Sequence, residues 1–289
     1  MNPTGIPWVT RIDEIRSAVR KARERGQVVA LVPTMGALHD GHVRLIDEAR
    51  REAECVVVSI FVNPTQFGPS EDLDRYPRTP DEDRRRCAEG GASLIFAPEP
   101  GSMYPPGSPG TFVEVPVLSK VLEGAARPTH FNGVTTVVMK LFQIVGPDLA
   151  FFGRKDYQQL AVIRAMVADL NVPVTIRPVD TVREGDGLAM SSRNRYLDPD
   201  ERKAATTLSR ALAEASAAVA AGEQSPDRVR QILRRRIESE RLARLDYAEV
   251  ADPDTLRPLG EADPVAGAVA LLAVRFPSAR LIDNARLPG

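Results

Sequence analysis

Along the first 180 residues, short β-branched apolar runs alternate with stretches whose apolar positions fall at helical spacing. Val28–Val32 and Cys55–Val62 are continuous apolar runs, the pattern of strands covered on both faces. Ser93–Phe96, Leu149–Gly153 and Val174–Val179 extend the series. Between them, Val43–Glu54, Asp81–Glu89, Gly133–Val145 and Asp156–Leu170 read as helices, the second opened by Thr79-Pro80 with acids in its first turn. This alternation predicts an α/β domain built on a parallel sheet. Residues 98–110 are dense in Pro and Gly and predict a loop long enough to be a flap.

The pattern changes near Thr181-Val182-Arg183. Pro199–Ala221 is alanine-rich and helical, and Pro226–Glu240 is helical and arginine-rich. Strand-like segments follow around Leu245–Val250, Val269–Arg275 and Leu281–Asp283. The expected layout is a large α/β domain over residues 1–181 and a small α+β domain over 182–289. The Arg234-Arg235-Arg236 run, followed by Glu238 and Glu240, reads as a solvated helix face.

Composition narrows the classes. With 38 basic and 39 acidic residues the chain lacks the basic excess of a general nucleic-acid surface. Two well-separated cysteines suit a reducing compartment rather than a disulfide framework. The N-terminus has no basic region followed by an apolar core, and no apolar run approaches the roughly 20 residues that span a bilayer. The expectation is a cytoplasmic protein that contacts neither membrane nor nucleic acid.

Candidate chemistry gathers at predicted strand ends. Pro33-Thr34-Met35-Gly36-Ala37-Leu38-His39-Asp40-Gly41-His42 holds two of the three histidines between a strand and a helix start. Free N–H groups and the helix dipole favour an anion there, and the imidazoles can hydrogen-bond phosphoryl oxygens. A zinc site would want more ligands than His130, Cys55 and Cys87 supply at their spacings. Phe152-Gly153-Arg154-Lys155-Asp156-Tyr157-Gln158-Gln159 repeats the strand–glycine–helix arrangement. It reads equally as a capped surface helix or as a ligand site at the carboxyl end of a sheet. Met190-Ser191-Ser192-Arg193, after the glycine-bearing Glu184–Gly187, suits a polyphosphate clamp on a loop able to close. Gln66 either ends a strand or meets a small hydroxy acid. Asp81, Glu82 and Asp83 offer oxygen ligands for magnesium or form an acid-rich helix start.

Taken together these segments resemble a known family. His39-Asp40-Gly41-His42 resembles the HxGH motif of the adenylate-forming nucleotidyltransferase superfamily, and Met190–Arg193 resembles its KMSKS-type counterpart. Val58–Phe67, Tyr76–Thr79, Arg127–Phe131 and Gly153–Gln159 are similar to the pantothenate synthetase family, from about Val28 to Leu197. The resemblance implies a Rossmann-like ATP- and pantoate-binding domain with a small C-terminal lid domain. It implies a cytoplasmic homodimer that joins pantoate to β-alanine through a pantoyl adenylate. By the same resemblance Met35, Gly36, Ala37, Leu38, His39, Asp40, Gly41 and His42 line the ATP site. Gly153, Arg154, Lys155, Asp156, Val182, Met190, Ser191, Ser192 and Arg193 contact ATP as well. His42, His39, Lys155 and Arg193 act in catalysis, Gln66 and Gln159 hold pantoate, and Mg2+ bridges the phosphates with Glu82 or Asp83 assisting. Arg154 and Asp40 stand where glutamate is more usual in the family.

A dinucleotide-forming transferase, an amino-acid-activating ligase and a regulatory nucleotide-binding module are the rival readings. The two glutamines suit a small polyhydroxy acid, and the retained His39, His42, Lys155 and Arg193 disfavour a module without turnover.

Overall fold

The computed structural model describes residues 5–69, 71–108 and 110–289, so Pro109 of the expected flap lies outside the described residues. The chain runs β1 (Trp8–Val9), α1 (Ile12–Glu24), β2 (Val29–Thr34), α2 (Asp40–Glu52), β3 (Cys55–Ile60), α3 (Pro80–Glu89) and β4 (Leu94–Phe96). It continues α4 (Pro100–Met103), α5 (Glu123–Ala126), α6 (His130–Val145), β5 (Leu149–Gly153), α7 (Tyr157–Asp169) and β6 (Thr175–Val179). The remaining elements are α8 (Pro199–Ala204), α9 (Thr207–Ala220), α10 (Pro226–Glu238), β7 (Arg244–Ala251), β8 (Val269–Arg275) and β9 (Arg280–Arg286). Two compact units result. One runs to Arg154 and resumes at Gln158–Asp180; the other holds Lys155–Tyr157 and Thr181–Gly289.

The first unit is built on a six-stranded, wholly parallel sheet in the order β1-β4-β3-β2-β5-β6. Leaving out the two-residue edge strand β1, this is the doubly wound order of a Rossmann-type sheet, with its switch point between β2 and β5. The central strands are apolar throughout because both faces are covered: Val29–Val32 and Val56–Val58 are fully buried. β2 pairs along its whole length with β3, yet with β5 only at Ala30 and Leu31. Beyond those two residues the strands are no longer laddered together, at the switch point where a doubly wound sheet takes its ligand.

Several expected boundaries move for local reasons. β1 and α1 were not anticipated: two residues give no period, and α1 buries only Ile15, Val19 and Ala22 within a highly charged stretch. α2 begins at Asp40 rather than Val43 because His39 caps it. The Pro- and Gly-rich segment after Pro98 contains the short α4, so it is not loop throughout. The alanine-rich helix expected over Pro199–Ala221 is two helices, α8 and α9. Thr206 Oγ1 bonds back to the Lys203 carbonyl at 2.8 Å where they part.

The second unit carries an antiparallel sheet in the order β7-β8-β9. α9 and α10 bury Leu208, Ala211, Val229 and Leu233 in one core with Val250, Leu272 and Val274 of the sheet. The segment Lys155–Tyr157 is held to this unit by the Asn284 side-chain amide, which donates to the Lys155 carbonyl at 2.8 Å. The Tyr157 hydroxyl also donates to the Pro253 carbonyl at 3.0 Å. Among the described residues no helix is long and apolar enough to cross a membrane.

Candidate active site

The turn from β2 into α2 has an unusual backbone. Gly36 and Ala37 both have positive φ, 81° and 50°. For alanine that left-handed conformation costs about 1–2 kcal/mol, so surrounding structure must impose it. The His39 Nδ1 accepts the Gly41 N–H at 3.2 Å, and the His42 Nδ1 accepts the His39 N–H at 3.3 Å. This reciprocal cap fixes both rings, whose centroids lie 4.1 Å apart. Since each Nδ1 is an acceptor, each neutral ring carries its proton on Nε2, the nitrogen able to donate to a phosphoryl oxygen. Asp40 pairs with Arg86 of α3 at 2.7 Å, which anchors the turn a second time.

The acids expected to assist magnesium are placed for other work. Asp83 is buried, and its two carboxylate oxygens accept the N–H groups of Ala37 at 3.0 Å and Leu38 at 2.7 Å. Glu82 accepts hydrogen bonds from Arg85 and Arg86, which hold its carboxyl down at about 2. Among the described residues no group of three or more His, Cys, Asp or Glu side chains is placed to hold a metal ion. The carboxylates expected to assist magnesium, directly or through water, both hold hydrogen bonds within the protein in this structure.

Gln66 lies at the end of the short 3-10 turn Pro64–Gln66 that follows β3, buried to 8 % exposure. Asn63 orients it. The Asn63 Nδ2 donates to Gln66 Oε1 at 3.2 Å and to the Gly133 carbonyl at 3.0 Å, while its Oδ1 accepts from the Thr65 and Tyr104 hydroxyls, both at 2.9 Å. The Gln66 Nε2 therefore points the other way, toward the Met35 sulfur at 3.1 Å. Burial pushes the Tyr104 phenol above its ordinary value and keeps it a donor. The Gln66 carbonyl accepts from His130 Nδ1 at 2.9 Å and Arg127 at 3.4 Å. Burial, and then the Arg127 charge, lower the His130 pKa to about 4, leaving a neutral ring with its proton on Nδ1. Burial resists ionisation of Glu71, but the paired Arg127 prevails and holds its carboxyl below the usual range.

Asn63, Tyr104, Arg127 and His130 thus belong to the Gln66 framework. Asn63, Arg127 and His130 fall within the motifs that carry the family resemblance, which by themselves indicate no role for them. The available signal was polar residues just past a buried apolar strand. Gln159 is half-buried on α7, and among the described residues its amide makes no protein hydrogen bond. Its neighbour Gln158 is buried and spent on structure, donating to the Leu118 and Val121 carbonyls and accepting from the Glu123 N–H.

At the end of β5, Arg154 pairs with Asp180 at 2.9 Å, so its extra positive charge has a partner. In the second unit, Lys155 is half-buried and lies 3.4 Å from Asp156. Val182 accepts the Met190 N–H at 3.0 Å across a turn whose tip is Gly187, φ 93°. The stretch Glu184–Gly187, expected on a loop able to close, is held by side chains in this state: Arg202 bonds Glu184 at 2.6 Å and Asp186 at 2.7 Å, and Asn194 donates to Glu184 at 2.9 Å. Ser191 caps the turn Ser192–Tyr196 by accepting the Arg193 N–H at 3.2 Å, and Ser192 is buried.

Comparison with known proteins completes the description. The sequence profile described as Pantoate-beta-alanine ligase matches residues 7–286. A pantothenate synthetase of Moorella thermoacetica is 51 % identical over 274 residues, covering 94 % of this chain and 95 % of that one. One of Chloroflexus aurantiacus is 53 % identical over 272 residues, covering 93 % and 95 %. Crystal structures agree. Pantothenate synthetase from Thermus thermophilus gives a TM-score of 0.93 at 46 % identity, covering 98 % of this chain and 100 % of that one. Pantoate-beta-alanine ligase from Francisella tularensis, solved in complex with beta-gamma ATP and beta-alanine, gives 0.78 at 30 % identity, covering 98 % of each chain. On this extent of match in sequence and in fold, the chain belongs to the pantoate-beta-alanine ligase family.

Proposed function

We propose that this chain ligates pantoate to β-alanine in two steps, using ATP to activate the acid. First, a carboxylate oxygen of pantoate attacks the α-phosphorus of ATP, pyrophosphate leaves, and a pantoyl adenylate forms. Second, the β-alanine amine attacks the pantoyl carbonyl carbon, AMP leaves with the C–O electron pair, and the amide nitrogen loses a proton. The observation that carries the reading is the pair of histidines whose Nδ1 atoms cap α2, making Nε2–H the donor of each.

In this mechanism His39 and His42 stabilise charge developing on the phosphoryl oxygens, with Lys155 and Arg193 supplying positive charge. Met35–His42, Gly153–Asp156, Val182 and Met190–Arg193 contact ATP. Gln66 and Gln159 bind pantoate, with Gln66 close to β-alanine as well. Magnesium, when bound with ATP, would supply charge neutralisation to the phosphates. The bound nucleotide and β-alanine of the Francisella relative support these substrates. The two free, buried cysteines, Cys55 and Cys87, support a reducing, cytoplasmic setting, and burial pushes the Cys87 thiol up to about 12.

The test is exchange of labelled pyrophosphate into ATP. It should require pantoate and magnesium but not β-alanine, and Lys155→Ala should lower it by roughly 100-fold or more, the scale of losing one preorganised donor. Exchange supported equally by β-alanine alone would reverse the order of steps. A Lys155→Ala rate within a few-fold of wild type would remove that residue from the chemistry.

A further inference from the structure

The left-handed turn at Gly36-Ala37 needs something to hold it, and α3 supplies it. Asp83 sits on the inner face of α3 with 1 % exposure. Its carboxylate accepts two successive backbone N–H groups, Ala37 and Leu38, immediately before the cap residue His39. The Thr79 hydroxyl donates to the same Oδ1 at 3.2 Å, and the Asp83 N–H bonds the Thr79 carbonyl at 2.8 Å, closing the first turn of α3 around it. A Cβ on Gly36 would come within 2.9 Å of Asp83 Oδ2 and 3.1 Å of Ile60 Cγ2, so carboxylate and turn are in direct apposition. Hydrogen bonds to an ionised acceptor are roughly twice as strong as neutral ones, and two on adjacent N–H groups fix both position and rotation of the peptide planes. From Leu38 the chain passes straight into the reciprocal His39–His42 cap.

We propose that Asp83 is a positioning residue for the adenylation step: through the Ala37 and Leu38 N–H groups it sets where His39 and His42 present Nε2–H. The inference rests on the catalytic reading of the two histidines given above. It assigns Asp83 no contact with ATP, pantoate or metal. A carboxylate is required because both of its oxygens accept; an amide would turn one acceptor into a donor facing an N–H. Misplacing a catalytic donor by about 1 Å costs on the order of 100-fold in rate.

The experiment uses the full chain and its three histidines, of which His130 serves as internal control. Long-range proton–nitrogen NMR of histidine-labelled wild type should show two Nε2–H rings and one Nδ1–H ring. In Asp83→Asn the two Nε2–H signals should move or broaden while the His130 signal stays. Pantoate-dependent pyrophosphate exchange should fall by roughly 100-fold in kcat, with KM for pantoate changed less than about 3-fold. Where Asp83→Asn does not fold, Thr79→Val keeps the carboxylate and removes one donor to it. The same two signals should then shift, with kcat falling about 3-fold to 10-fold, the scale of one hydrogen bond. Unmoved His39 and His42 signals in a folded variant, or unchanged kcat, overturn the inference. Wild type without pantoate-dependent exchange overturns the proposed reaction instead, and the NMR comparison still decides whether Asp83 holds the histidines.

Discussion

Three histidines of one chain are held in two different tautomers. His39 and His42 accept backbone N–H groups at Nδ1, whereas His130 donates from Nδ1 to the Gln66 carbonyl. The same side chain is thus a helix cap in one place and a brace for the Gln66 backbone carbonyl in another. Gln66 is treated similarly. Asn63 takes its Oε1, so the face left for a ligand is set by the Nε2 protons. Replacing Gln66 with alanine should weaken pantoate by about 10-fold or more, the value of one or two hydrogen bonds to a charged or polar ligand. ATP affinity should change less. Calorimetric titration of both ligands checks this, and a larger loss for ATP would move Gln66 out of the acid pocket. None of these assignments can be read from residue order. They depend on which backbone group lies opposite each nitrogen.

At the scale of elements, the site is a product of close approaches. α6 packs on the 3-10 turn Pro64–Gln66 so closely that a Cβ at Gly133 would lie 2.6 Å from the Gln66 Cα and N and from the Thr65 carbonyl carbon. The contact is backbone against backbone, so no rotamer change relieves it. Gly133→Ala should lower stability by about 1–3 kcal/mol from overpacking and raise KM for pantoate through displacement of Gln66. Thermal unfolding together with pantoate kinetics tests it; wild-type values for both would show that the turn gives way at no cost. α3 acts in the same manner on the histidine turn, through Asp83 to the backbone and Arg86 to Asp40. The acid-rich start of α3 was legible as a helix N-terminus or a set of metal ligands. That one acid points inward onto a distant turn depends on helix phase and on the packing of α3, which an isolated stretch of sequence does not reveal.

For the whole molecule, strand order decides what the pattern of apolar runs could not. Alternating strands and helices predict a parallel sheet, but the order that puts β2 beside β5, with the ladder stopping at Leu31, comes only from long-range pairing. Association of the chain is a property of the same scale. Phe112 and Val117 stand exposed at 65 % and 77 %, and they are the positions at which the homodimer implied by the resemblance is put to the test. Light scattering should give twice the chain's 31.5 kDa, and Phe112→Asp with Val117→Asp should shift the population toward monomer. A wild-type monomer at assay concentration would end that proposal.

The sequence by itself determined the fold class and most strands, and it singled out the segments proposed to carry the chemistry. Burial on both faces demands continuous β-branched runs, and phosphate chemistry demands histidine, lysine and arginine beside glycine turns. Those requirements are local and leave a local trace. Only the tertiary structure decided what the polar residues of those segments do. It set Asp83 against the Ala37 and Leu38 N–H groups of a left-handed turn and tied the Glu184–Gly187 stretch with Arg202 and Asn194. It also gave Gln66 its orientation from Asn63. The physical reason is that polar groups pair with what lies beside them in space, between residues that are up to 46 positions apart here; where they are buried, as Asp83 and Gln66 are, a partner is obligatory.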